Sequence, residues 1–173
     1  MRLWKLQAER GEGMRNRLVK FSVKKGTYFF KWETYQREAK RWDAFTISSK
    51  DEPRPELIER LKALADHVPA ICEFPSGDAL RIIVSGITEA YTDTNRYLTI
   101  ICQKRLENSK APLVINTPPR PKKPGAGMTE AQCMSEELLA DLSALEEEAW
   151  RYINGDRAQQ VLDLESDDPP EAA

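Results

Sequence analysis

The chain has 173 residues, of which 40% are hydrophobic and 31% charged, with a net charge of -2. That is enough for one domain with a real core and too little for two of ordinary size. No apolar run approaches the roughly 18 residues of a membrane span, and "MRLWKLQAERGEGMRNR" lacks the apolar stretch of a signal peptide, so a cytoplasmic protein without membrane contact is expected.

In chain order, "RLWKLQ" and "NRLVKFSVKKGTYFFKWETYQ" alternate and are rich in Val, Phe, Tyr and Trp, so they read as strands. The glycine of "KKGT" supplies the positive φ of a tight turn. Phe29 and Phe30 are neighbours, so they point to opposite faces of their strand. "AKRWDAFTISS" fits either another strand or a connector. Pro53 and Pro55 then mark the start of a helix whose apolar stripe is Leu57, Ile58, Leu61, Leu64 and Ala65, and Pro69 is expected to end it. "ALRIIVSGITEAYT" and "RYLTIICQKRLE" read as antiparallel strands, and "APLVINTPPRP" as a short strand stopped by prolines.

The expected class is α+β, in the order β-β-α-β-β-β: an antiparallel sheet with one packed helix. This core is placed at residues 1–116. The composition of "TPPRPKKPGAG" makes 117–128 a Pro-rich linker. A C-terminal helix at 129–155 follows, with Leu138, Leu139, Leu142, Leu145, Ala149, Trp150 and Ile153 on one stripe and Asn154-Gly155 as its cap. Residues 156–173 form an acidic tail expected to be disordered.

Charge divides the chain more sharply than its net value suggests. Residues 1–50 hold 13 Lys/Arg against 5 Asp/Glu, a balance of +8, whereas residues 129–173 hold 2 against 13, a balance of -11. A basic front points to an anionic partner. Arg15, Arg17, Lys20, Lys24, Lys25 and Lys31 lie on or beside strands that carry Tyr28, Phe29, Phe30 and Trp32. Cations interleaved with aromatics can follow a phosphate backbone and stack bases, so these six are the candidate contacts for single-stranded or duplex DNA. The competing account is an ordinary solvated face over a core of aromatics. The acidic tail is a tethered competitor for the same surface.

Catalytic signatures are absent. Neither a Walker-type phosphate loop nor a dinucleotide fingerprint occurs. His67 is the only histidine, and Cys72, Cys102 and Cys133 show no metal-ligand spacing. No catalytic residue, metal site or cofactor is assigned, and a non-enzymatic role is expected.

Within the tail, Gln159-Gln160-Val161-Leu162-Asp163-Leu164 resembles the hexapeptide by which proteins bind bacterial sliding clamps: Gln, two variable residues, Leu or Met, one variable residue, then Leu or Phe. The resemblance implies a DNA polymerase sliding clamp as partner, with Gln159, Leu162 and Leu164 as the contacts. The alternative is that Val161, Leu162 and Leu164 pack back on the domain. The segments "PRPELIERLKAL", "CEF", "VSGITEAY", "SKAPLVINTPPRP" and "INGDRAQ" are similar to those of small uncharacterised phage and prophage proteins encoded among replication and recombination genes. That implies a DNA-metabolism setting in a bacterial host and carries over no catalytic residue. The β-α-β-β-β portion also resembles the repeated unit of the clamps themselves. A clamp domain uses two such units and this chain shows one, so a ring would require homo-oligomerisation. The expected function is therefore a replication or recombination accessory that binds the clamp through its tail. The alternatives are a clamp-like ring subunit or an inhibitor of a host replication protein.

Overall fold

The computed structural model describes residues 15–158. The strand reading of "RLWKLQ" and the clamp-peptide residues Gln159, Leu162 and Leu164 lie outside that range. The chain opens with a meander of β1 (Asn16–Lys24), β2 (Thr27–Gln36) and β3 (Arg41–Ser49). The β1–β2 connection is two residues long, and both adopt positive φ, Lys25 at 49° and Gly26 at 70°. This backbone twist matches that of the paired strands. The ambiguous segment is thus a full strand, paired with β2 along its whole length.

Helix α1 (Pro55–Ala63) begins on Pro55, whose missing N–H costs nothing in a first turn. A 3-10 turn (Leu64–His67) leads into the short α2 (Val68–Cys72). Pro69 opens this helix and does not end the segment, because it occupies the first turn. The stop comes at Glu73, in the left-handed region at φ 57°. After another 3-10 turn (Ser76–Arg81) come β4 (Ile82–Tyr91), β5 (Arg96–Lys104), β6 (Leu113–Asn116) and the two-residue β7 (Arg120–Pro121). The last helix, α3 (Glu136–Ile153), is capped by Ser135, whose Oγ accepts from the Leu138 amide at 3.1 Å.

The class is α+β. One antiparallel sheet runs in the order β3-β2-β1-β4-β5-β6, with β7 pairing on β5 beside β6. The central β1–β4 junction is short and close. A Cβ on Gly86 would press against the Phe21 carbonyl oxygen and lie within 2.8 Å of the Ser22 Cα, so only glycine fits.

Helices cover a single face of the sheet. Leu18, Phe21, Phe30, Ile87, Leu98 and Ile100 share one core with Leu57 and Leu61 of α1, with Leu64 at the start of the turn after it, and with Leu138, Leu142, Leu145, Ala149 and Tyr152 of α3. This corrects the division at residues 116 and 129: α3 is part of the main core and not a separable helix. Segment 117–128 is likewise fastened at its start. The Thr117 amide and hydroxyl bond the Ile100 backbone at 3.0 and 2.9 Å, and the Lys122 amide donates to Arg96 O at 2.8 Å. Prolines set that stretch in an extended path suited to a sheet edge, and its non-proline residues supply the donors. Pro121 is buried, and its carbonyl accepts from the Met134 amide at 2.9 Å.

Candidate nucleic-acid interface

With the helices on one side, the opposite face of the sheet is bare, and register decides what it displays. Phe30 is fully buried on the helix side, so Phe29 and Lys31 point outward. A β-bulge between Leu18 and Lys20 shifts β1 by one residue, which keeps Leu18 and Phe21 in the core and turns Lys20 outward. Successive pairings then align Thr46, Lys31, Lys20, Thr88 and Thr99 in one row across β3, β2, β1, β4 and β5. Four strand spacings make the row about 19 Å long. The neighbouring row holds Ser48, Phe29, Ser22, Gly86, Ile101 and Asn116.

Lys20 and Lys31 are direct cross-strand partners. Among the described residues, no carboxylate forms an ion pair with Lys20, Lys24, Lys25 or Lys31. Like charges directly opposite one another destabilise a strand pair. Lys20 Nζ lies 5.8 Å from the centre of the Phe29 ring. Beside them opens a shallow groove of about 430 Å³, lined by Lys20, Ser22, Lys24, Lys25, Thr27 and Phe29. Its cations are lysines, its neutral donors are hydroxyls, and Phe29 contributes a ring to its lining. Such a set suits an anion with an attached aromatic group.

The six sequence candidates therefore separate. Lys20, Lys24, Lys25 and Lys31 come together. Arg15 is exposed at the far end of β1. Arg17 is already engaged: it donates to Glu33 at 2.7 Å, and its guanidinium lies 3.8 Å from the centre of the Trp42 ring and 4.7 Å from that of Tyr91. This is a cross-strand structural clasp. The hydroxyls of Thr46, Thr88 and Thr99 were missed, because only the register places them beside the lysines.

The helix-covered face hides a second polar group that the sequence does not announce. Glu89, on β4, is buried and accepts from Arg96 at 2.5 Å, while Arg96 also donates to Glu146 of α3 at 2.7 Å. Tyr91 bonds Glu89 as well, and its Oη lies 2.8 Å from the Leu18 carbonyl oxygen. Burial pushes the Glu89 carboxyl up to about 7, the Glu146 charge adds to the rise, and Arg96 opposes it. The geometry agrees. One cation faces two carboxyls, and the single Tyr91 hydrogen has two acceptors in reach, so a protonated Glu89 completes the network.

Of the remaining titratable groups, His67 Nε2 pairs with Asp141 of α3 at 2.7 Å, joining the 3-10 turn to that helix. All three cysteines are free thiols. Among the described residues, no group of three or more His, Cys, Asp or Glu side chains is arranged to hold a metal, and no helix is long and apolar enough to cross a membrane. No protein-family model matches the chain, and no curated protein or solved structure is detectably similar to it.

Proposed function

We propose that this chain is a non-enzymatic accessory of DNA replication or recombination, of phage or prophage type. It lays single-stranded DNA across the bare face of its sheet and engages a bacterial sliding clamp through Gln159, Leu162 and Leu164. The observation that carries the DNA half is the uncompensated Lys20–Lys31 pair. A fold that sets two lysines opposite each other, without an acid, gives up stability that a bound phosphate restores. The hydroxyl-bearing row and Phe29 extend that anion site into a track for backbone and base. The clamp half rests on the hexapeptide resemblance alone.

Titration of a labelled oligothymidylate against salt tests the first half. Four lysine–phosphate contacts on a single strand give a log–log slope of about -3, and Lys20→Ala/Lys31→Ala reduces it to about half. An unchanged slope, or binding indifferent to salt, refutes the interface. For the second half, Leu162→Ala/Leu164→Ala removes two apolar anchors worth about 1.5–3 kcal/mol each, so affinity for a bacterial clamp falls by more than tenfold. Clamp binding that survives the double change refutes the peptide.

A further inference from the structure

Sheets protect their outer strands from chance pairing with short strands, lysines, prolines or bulges. β6 at one end of this sheet is four residues long. β3 at the other end is nine residues long and has no proline, glycine, lysine or bulge, and its two charges, Arg41 and Asp43, lie at its first end and pair with each other. Among the described residues nothing pairs with its outer edge. On its helix side, Phe45 stacks on Trp32 yet remains 43% exposed. Trp32 in turn meets Trp150 of α3. An apolar shelf therefore borders a row of unpaired backbone donors and acceptors.

The chain itself leads to this edge. After α3 it turns back to the residues that follow β3: Tyr152 Oη donates to Asp51 O at 2.7 Å, Arg157 pairs with Asp51 at 3.4 Å, and the Ala158 amide donates to Glu52 O at 3.1 Å. A continuation from Ala158 meets the C-terminal end of β3 first and runs antiparallel to it. In extended form, residues 159–168 cover about 33 Å, against about 30 Å for β3. Their composition matches the edge. In the register that puts Leu162 beside Ile47, Leu164 falls beside Phe45, on the shelf side, and Asp168 beside Arg41. The alternate positions put Asp163 beside Thr46, on the bare face.

We propose that the free edge of β3 is the docking site of the chain's own C-terminal segment, residues 160–168, added as an antiparallel strand with Leu162 and Leu164 on the Phe45–Trp32 shelf. Docked there, the two leucines are withheld from any other cleft, so the edge strand regulates the clamp peptide. That regulatory step rests on the proposed clamp reading; the docking does not.

Amide hydrogen exchange on the full chain tests it, comparing wild type with Leu162→Asp/Leu164→Asp at low protein concentration. The β3 amides that point away from β2 are expected to exchange at least tenfold faster in the variant, and adding a bacterial sliding clamp to the wild type is expected to produce the same loss of protection. Equal exchange in the two proteins overturns the docking, even where the clamp binds the wild type and not the variant. Protection that grows with protein concentration, together with a dimer in sedimentation, also overturns it by assigning the edge to a second copy. Leucine-dependent protection with no response to the clamp upholds the docking and refutes the clamp reading instead.

Discussion

Replacing Lys31 by Glu separates stability from binding, because the two respond with opposite sign. In the native pairing Lys31 faces Lys20 across β1 and β2, with no acid to compensate either. Lys31→Glu converts a like-charge pair into an opposite-charge one. An opposite pair contributes roughly 0.2–1 kcal/mol and a like pair costs a similar amount, so the variant gains about 0.5–1.5 kcal/mol. For a domain of this size each kcal/mol raises Tm by about 2–4 °C, which gives a rise of a few degrees in calorimetry at low salt. The same variant removes one cation from the row beside the groove and neutralises a second, Lys20. Its binding of oligothymidylate therefore weakens, and the salt slope falls from about -3 to roughly -1.4. A lower Tm shows that Lys31 is held by interactions other than the bare pair supposed here. Unchanged DNA affinity shows that the row is an ordinary solvated face.

Three further outcomes follow from the interior. Gly86→Ala forces β4 away from β1 where a Cβ would meet the Phe21 carbonyl oxygen and Ser22 and destabilises the fold by about 1–3 kcal/mol in denaturant titration. The raised Glu89 carboxyl, at about 7, means that the folded state binds more protons than the unfolded one between pH 4.5 and 7. Stability contributed by this group is present below the unfolded value and is lost as pH rises through about 7, so Tm falls across that window. Glu89→Gln, which stays neutral, flattens the fall. A proteolytic nick near Gly125 leaves the two fragments associated in gel filtration, because α3 and the sheet share one core; release of a fragment ending near residue 122 refutes the shared core.

What was legible in the sequence follows from how local each feature is. The β1–β2 turn, α1 and α3 declare themselves through neighbours within a few residues: a glycine in a turn, prolines at a helix start, an apolar stripe at helical spacing. β3 does not, because an edge strand is mostly exposed and carries no strict alternation of burial. Residues 117–128 have the composition of a spacer, and composition cannot reveal that Thr117 and Lys122 find acceptors on β5. Glu89 reads as one more surface acid until Arg96 and Glu146 arrive from other elements. The interface was half visible for the same reason. The excess of lysine is a property of the chain, whereas the row from Thr46 to Thr99 is a property of register. The bulge after Leu18, which the sequence does not mark, decides that Lys20 lies in it.

The tail and the lysine row are coupled if residues 160–168 occupy the β3 edge, and the coupling has a definite sign. Asp163 would then stand next to Thr46 and continue the row of Lys20 and Lys31, two strand spacings or about 10 Å from the Lys31 position. At that distance one carboxylate opposes one phosphate by about 0.4 kcal/mol in water, and less once salt screens it. The further acids Glu165, Asp167 and Asp168 add smaller amounts, so the docked tail weakens DNA binding by about 1.5- to twofold near 0.1 M salt, by the same screened-charge reasoning. A clamp that takes up Leu162 and Leu164 lifts this opposition. Linkage then requires that DNA raise the affinity for the clamp by the factor by which the clamp raises the affinity for DNA. Measuring both titrations on the wild-type chain checks this, with Phe45→Lys as the control in which the shelf is spoiled and the tail already free. Equal enhancement in both directions, lost in Phe45→Lys, is the expected result. Reciprocal enhancement that persists in Phe45→Lys means that clamp and DNA meet directly, and that the edge of β3 plays no part in joining them.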